Sequence, residues 1–130
     1  MKWKALALLV ILVLAMAATT VYAAYSYWDG AWRSIDIDGS RQQMNIGAGK
    51  KGVYKIKYLD HKASFCNGRP MRGKGPGTVG SDGKLHTQLD LRCLGKPKST
   101  LNDVDYALLY NANNTMTDAW GVVWHRTNKK

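Results

Sequence analysis

The sequence predicts an all-β domain, an antiparallel up-and-down meander of about eight short strands that closes into a small barrel and carries one disulfide. Three observations lead to it. Residues 53–59 set Tyr54, Ile56 and Tyr58 against Lys55 and Lys57, and residues 85–93 set Leu85, Leu89, Leu91 and Cys93 against His86, Gln88, Asp90 and Arg92. A period of two is that of a strand with one buried face. The pairs Asp38-Gly39 and Asp82-Gly83 stand between runs of this kind, where a tight hairpin needs them. Glutamate is absent, all nine acids are aspartate, and glycine occurs 13 times, a composition that disfavours helices.

The chain opens on an export segment. Lys2 and Lys4 precede an uncharged apolar run over 5–18, and Val21-Tyr22-Ala23 supplies the small residues of a cleavage site. Residues 1–23 are therefore expected to be a signal peptide and 24–130 a single domain, secreted or periplasmic. The alternative is an uncleaved N-terminal anchor, although the strictly apolar part is shorter than the ~20 residues a spanning helix needs. No stable membrane insertion is expected after cleavage. Removing the two leading lysines leaves 17 basic residues against nine acidic ones, a charge of +8. In an oxidising compartment Cys66 and Cys93 are expected to pair, two buried free thiols being the alternative.

Taken in order, residues 25–37 form the first strand, with Trp28 and Trp32 around Gly30 and a change of inward parity before Ile35 and Ile37 that a bulge or bend would explain. Asp38-Gly39 turns the chain into a second strand, with Gln42, Met44 and Ile46 on one face. The spacing of Asp36, Asp38 and Ser40 lacks the further acids of a calcium loop, so it reads as a turn and no metal is expected. Residues 47–52 make a basic turn through Lys50 and Lys51, and 53–59 the third strand. Asp60-His61-Lys62 reads as a turn, 63–66 as a short fourth strand, and 67–77 as a long loop with Arg69, Arg72 and Lys74 among glycines and prolines. Thr78 and Val79 resume the sheet, Ser81-Asp82-Gly83 turns it, and 85–94 is the next strand. After a polar connection over 95–102, Val104, Tyr106, Leu108 and Tyr110 alternate along another strand. Residues 116–126 close the domain, with Trp120, Val122 and Trp124 on one face.

A meander of this length packs as a sandwich or closes on itself, and closure alone removes both sheet edges, which favours the barrel. Gly30-x-Trp32 near the start and Arg126 on the last strand resemble the end-closing pair of lipocalin-like, calycin-type secreted barrels. The resemblance implies that Arg126 packs over Trp32. It covers those positions and the strand order; the chain is shorter than that family's and has no room for its C-terminal helix. It implies a structural role for both residues and carries no activity to them.

No stretch identifies a reaction or a ligand. His61 falls in a turn, His86 and His125 on outward faces, and none of the histidines, aspartates or hydroxyls forms a catalytic signature. Asp36, Asp38 and Asp60 could meet at one barrel end as a carboxylate pair would, but aspartates in such places are ordinarily turn formers. No enzyme activity and no cofactor are expected. Charge is more informative. Lys50, Lys51, Lys55, Lys57 and Lys62 gather around the third strand, followed by Arg69, Arg72 and Lys74. Arginine forks match phosphate and carboxylate, so an anionic surface or polyanion outside the cytosol is the expected partner of a monomer, and intracellular nucleic acid is not. The ordinary explanation, that cations keep a small domain in solution, stands beside it. A second reading is a hollow barrel whose ligand meets Tyr54, Tyr58, Tyr106, Tyr110, Trp120 and Trp124. A third is a secreted inhibitor of an acidic protein.

Overall fold

The computed structural model describes residues 27–127. The expected signal peptide over 1–23 and the first two residues of the opening strand segment, 25 and 26, lie outside the described residues. Eight antiparallel strands form one closed barrel in sequence order: β1 Gly30–Ile35, β2 Arg41–Gly47, β3 Tyr54–Ala63, β4 Arg69–Val79, β5 Leu85–Cys93, β6 Thr100–Tyr110, β7 Thr115–Asp118 and β8 Val123–Arg126. Each pairs with its neighbour in sequence, and β8 returns to β1. The expected fold class is the one observed.

The alternating runs behave as their period requires. Met44, Ile46, Tyr54, Ile56, Leu85, Leu89, Leu108 and Met116 point inward and are almost wholly buried, while the lysines between Tyr54 and Tyr58 are exposed. Burying an aliphatic side chain of this size contributes about 1.5–3 kcal/mol. The hairpins fall at Gly39 and Gly83, both at positive φ (81° and 76°), which a residue without Cβ adopts freely. Cys66 and Cys93 form the disulfide, joining the segment after β3 to the end of β5.

Several elements differ from expectation. The supposed loop 67–77 is mostly strand β4, paired with β3 from Tyr54↔Gly77 to Ala63↔Arg69. Its inward positions are Met71, Gly73 and Gly77, so hardly any apolar side chain marks the buried face. The glycines are there because the space is taken. A Cβ on Gly73 would lie 2.6 Å from Leu91 Cδ2, and one on Gly75 would lie 1.8 Å from the carbonyl oxygen of Gln88. Asp60-His61-Lys62 is no turn either. The strand runs on to Ala63 through a bulge, because buried Asp60 accepts hydrogen bonds from Ser40 Oγ and from the Lys62 amide. Residues 63–66 accordingly hold the end of β3 and a 3₁₀ turn, Ser64–Cys66, rather than a separate strand.

At the first strand there is no bulge, and the β1–β2 register runs unbroken from Gly30↔Ile46 to Ile35↔Arg41. Ser34 takes the inward place, its hydroxyl donating to the Val123 carbonyl at 2.7 Å, and Ile35 and Ile37 face solvent. Residues 116–126 split into β7 and β8 around Gly121. Trp120 lies in that turn, 61% exposed, and does not share the buried face of Val122 and Trp124.

The two barrel ends differ. One is plugged: Trp32 donates its indole N–H to the Trp28 carbonyl, and Tyr110 packs edge-on against Trp28 and Trp32. The Arg126 guanidinium lies 4.3 Å over the Trp32 ring and donates to the carbonyls of Tyr27 and Asp29. The other end, where the β1–β2, β3–β4 and β7–β8 connections meet, is open. The β8–β1 ladder that closes the sheet is short, with register pairs Trp32↔Arg126 and Arg33↔His125.

Candidate functional site

The outward faces of β2 to β6 carry two adjacent rows of side chains set by the register. One row runs Asn45, Lys57, Lys74, Asp90; the next runs Gln43, Leu59, Arg72, Arg92, Thr100. These residues line a groove of about 560 Å³ on the barrel wall. In the first row Lys57 stands directly opposite Lys74, and in the second Arg72 stands directly opposite Arg92.

Like charges at directly opposed positions bring their Cβ atoms to about 4.5–5.5 Å and destabilise a sheet by some tenths of a kcal/mol. Two such pairs side by side call for compensation, and one carboxylate, Asp90 directly opposite Lys74, supplies part of it without closing to an ion pair. Asp90 is the acid of the groove, and one of its oxygens accepts from the Asp103 amide. Among the described residues none of the four cations is ion-paired; the ion pair present is His86–Asp82, 2.9 Å long and outside the groove. Four cations against one carboxylate leave the concavity with a net positive potential that an anion would neutralise.

The expected contacts are thus only partly brought together. Arg72, Lys74 and Lys57 share the groove. Lys55 lies two residues from Lys57 on the same outward face, opposite Pro76. Lys50 and Lys51 sit in the 3₁₀ turn between β2 and β3, exposed but outside the groove, and Lys62 lies in the β3 bulge. Arg69 is committed elsewhere, since its guanidinium donates to the carbonyls of Cys66, Leu94 and Pro97 at 3.0, 3.4 and 2.9 Å. It ties together the two connections on either side of the disulfide. Arg92 was not singled out in the sequence. Its outward position was legible there, but its partner was not, because the strand opposite read as a loop.

The interior separates in the same way. Tyr54 and Trp124 are buried and Tyr110 packs against the tryptophan plug, all in the filled part of the barrel. Tyr58, Tyr106 and Trp120 line a cavity of about 260 Å³ at the open end, together with Asp36 and Asp60 but also Asp118, which the sequence did not mark. Asp118 accepts hydrogen bonds from Tyr106 Oη, Trp124 Nε1 and the amides of Trp120 and Val122, so it organises the β7–β8 turn. Asp38, with bonds from the Ser40 amide and from Ser64 Oγ, does the same for the β1–β2 turn. Comparison with protein-family models, with curated proteins and with solved structures found no match.

Proposed function

We propose that the protein is an exported, monomeric binding module that engages an anionic partner through the groove on its barrel wall and acts without catalysis. The observation that carries this reading is the pair of opposed like charges, Lys57↔Lys74 and Arg72↔Arg92, lining one concave surface without carboxylate ion pairs. Cations distributed only for solubility have no reason to face one another across strands at a cost in stability. The guanidinium forks of Arg72 and Arg92 suit phosphate, sulfate or carboxylate groups, and the lysines add point charges on either side. The partner is a polyanion or an anionic surface; an acidic protein domain would be held by the same charges. Export is supported by the Cys66–Cys93 disulfide and by the charged and apolar pattern of the N-terminus. The lipocalin-like pair Trp32 and Arg126 supports the architecture of the proposal and not its ligand.

Retention on a heparin column compared with a plain cation exchanger tests it. Later elution from heparin at equal salt is expected, and replacing Lys57, Arg72, Lys74 and Arg92 by alanine is expected to abolish the difference. Equal elution of the native protein from the two columns would mean that the charge has no arrangement.

A further inference from the structure

The open end of the barrel is chemically the opposite of the wall. In a chain with 19 basic and nine acidic residues, the cavity there is lined by three aspartates, Asp36, Asp60 and Asp118, and, among the described residues, by no lysine, arginine or histidine. Three aromatic rings form one side of it in sequence of contact, Tyr58 to Tyr106 at 6.1 Å between centroids and Tyr106 to Trp120 at 5.3 Å. Leu89, Leu91 and Val104 supply an apolar floor.

One buried acceptor in this cavity lacks a donor. Gln42 is 6% exposed; its Nε2 donates to Tyr58 Oη, and its Oε1 is buried with no hydrogen-bond partner. Asp60, 3% exposed, accepts from Ser40 Oγ and from the Lys62 amide, both on Oδ1. A buried acceptor left unpaired is costly, which is why such groups ordinarily have partners. The negative field is felt inside the site: the Tyr58 phenol is held well above its ordinary value, first by burial and then by the charges of Asp60, Asp36, Asp118 and Asp38.

We infer that the barrel mouth is a binding site for a small organic ammonium ion, whose N–H groups donate to Gln42 Oε1 and Asp60 while its charge lies against the Tyr58, Tyr106 and Trp120 rings. Aromatic faces attract cations, most strongly where water is excluded. The ammonium supplies both properties the cavity asks for, donors and positive charge, whereas a neutral alcohol supplies only the first and a carboxylate is repelled. The cavity is smaller than the roughly 300–1,000 Å³ that holds a drug-sized molecule, which selects a monoamine with one short apolar arm. The mouth shares only Tyr58 and Leu91 with the wall groove, their atoms backing both surfaces, and its ligand is independent of any anionic partner.

Calorimetric titration of the disulfide-bonded protein with 2-phenylethylammonium, 2-phenylethanol and phenylacetate at neutral pH tests it. The ammonium is expected to bind at least about tenfold more tightly than the alcohol. Phenylacetate is expected not to enter the mouth, whatever contact it makes with the wall cations, and amide-resolved NMR is expected to place the largest shifts of the ammonium, and none of phenylacetate, on the Gln42 side chain and the Trp120 indole. Trp120→Ala, at an exposed position, and Asp36→Asn, at the rim, are each expected to weaken the ammonium by about threefold or more without touching the core. The double variant Arg72→Ala/Lys74→Ala is expected to leave it unchanged. Equal binding of ammonium and alcohol, phenylacetate shifts at the Gln42 side chain and Trp120 indole with tighter binding than the ammonium, or no ammonium binding up to about 10 mM would each overturn the assignment.

Discussion

Replacing Lys57, Arg72, Lys74 and Arg92 together by alanine is expected to change how salt weakens polyanion binding more than it changes stability. Each phosphate neutralised on a single strand contributes about −0.7 to the slope of log affinity against log salt, so four groove cations account for about −2.8. Raising salt fourfold, from about 50 to 200 mM, then costs the native protein about 50-fold through these residues alone. The assay is fluorescence anisotropy of a labelled oligothymidylate, used as a polyanion of known charge spacing, over that salt range. The control carries the same loss of charge on exposed sites outside the groove: Lys62, Lys84, Lys96 and Lys98 to alanine. The groove variant is expected to flatten the slope by about 2.8 and the control by much less. Removing two opposed like-charge pairs is also expected to leave the unfolding free energy measured in urea unchanged or slightly higher, by up to about 1 kcal/mol. Equal flattening by the two variants would refute the groove, because it would show that net charge matters and position does not.

Other perturbations follow from the packing. Gly75→Ala puts a Cβ 1.8 Å from the Gln88 carbonyl oxygen, so β4 must move away from β5; a loss of about 1–3 kcal/mol by chemical denaturation is expected. Arg69→Ala removes donors to three carbonyls and is expected to cost about 1.5–3 kcal/mol while leaving the salt slope of polyanion binding as it is. Cys66→Ala/Cys93→Ala opens a loop of 27 residues and is expected to lower stability by about 3.5 kcal/mol, read as a shifted urea midpoint. The carboxyls of Asp38 and Asp82 are held below their ordinary 3.8, Asp38 chiefly by the Ser40 amide and Asp82 chiefly by the Lys84 amide and then by His86. A folded-state value below the unfolded one gives stability that is complete above 3.8 and is lost as pH falls through the folded values. Urea midpoints measured from about pH 5 down to pH 2 are expected to fall, and to fall less in Asp82→Asn.

The strands legible in the sequence are those whose inward positions carry apolar side chains, such as Tyr54, Ile56 and Tyr58 on β3 or Leu85, Leu89 and Leu91 on β5. The turns legible there are those with a glycine at positive φ next to aspartate, at Gly39 and Gly83. What escaped was decided by neighbours distant in sequence. β4 hides its period because Tyr58 and Leu91 fill the space in front of Gly73. Asp60 resembles a turn residue and is in fact buried, since Ser40, 20 residues earlier, satisfies it. Trp120 has the composition of a core residue and the place of a rim residue, because the Asp118 carboxylate pins a turn beneath it. Of the cations that line the wall groove, Lys57, Arg72 and Lys74 could be named from charge alone. Arg92 needed the register, and Arg69 needed the three carbonyls that withdraw it from solvent chemistry.

The seam between β8 and β1 sets the order in which the molecule can be built and undone. Trp32 and Arg126 stand 94 residues apart, so the ladder that closes the barrel is made from the two ends of the domain and cannot form until almost all of it has been synthesised. Until then β1 presents an open hydrogen-bonding edge, the kind of edge that recruits other chains. The same shortness makes the seam the natural place for the wall to part. Opening it frees the ladder at Trp32 and Arg33, whereas the β1–β2 hairpin, paired along the whole of β1, stays intact. Amide exchange in the native protein would therefore start beside Arg126, and the residue that caps the tryptophan plug also acts as the latch of the cylinder.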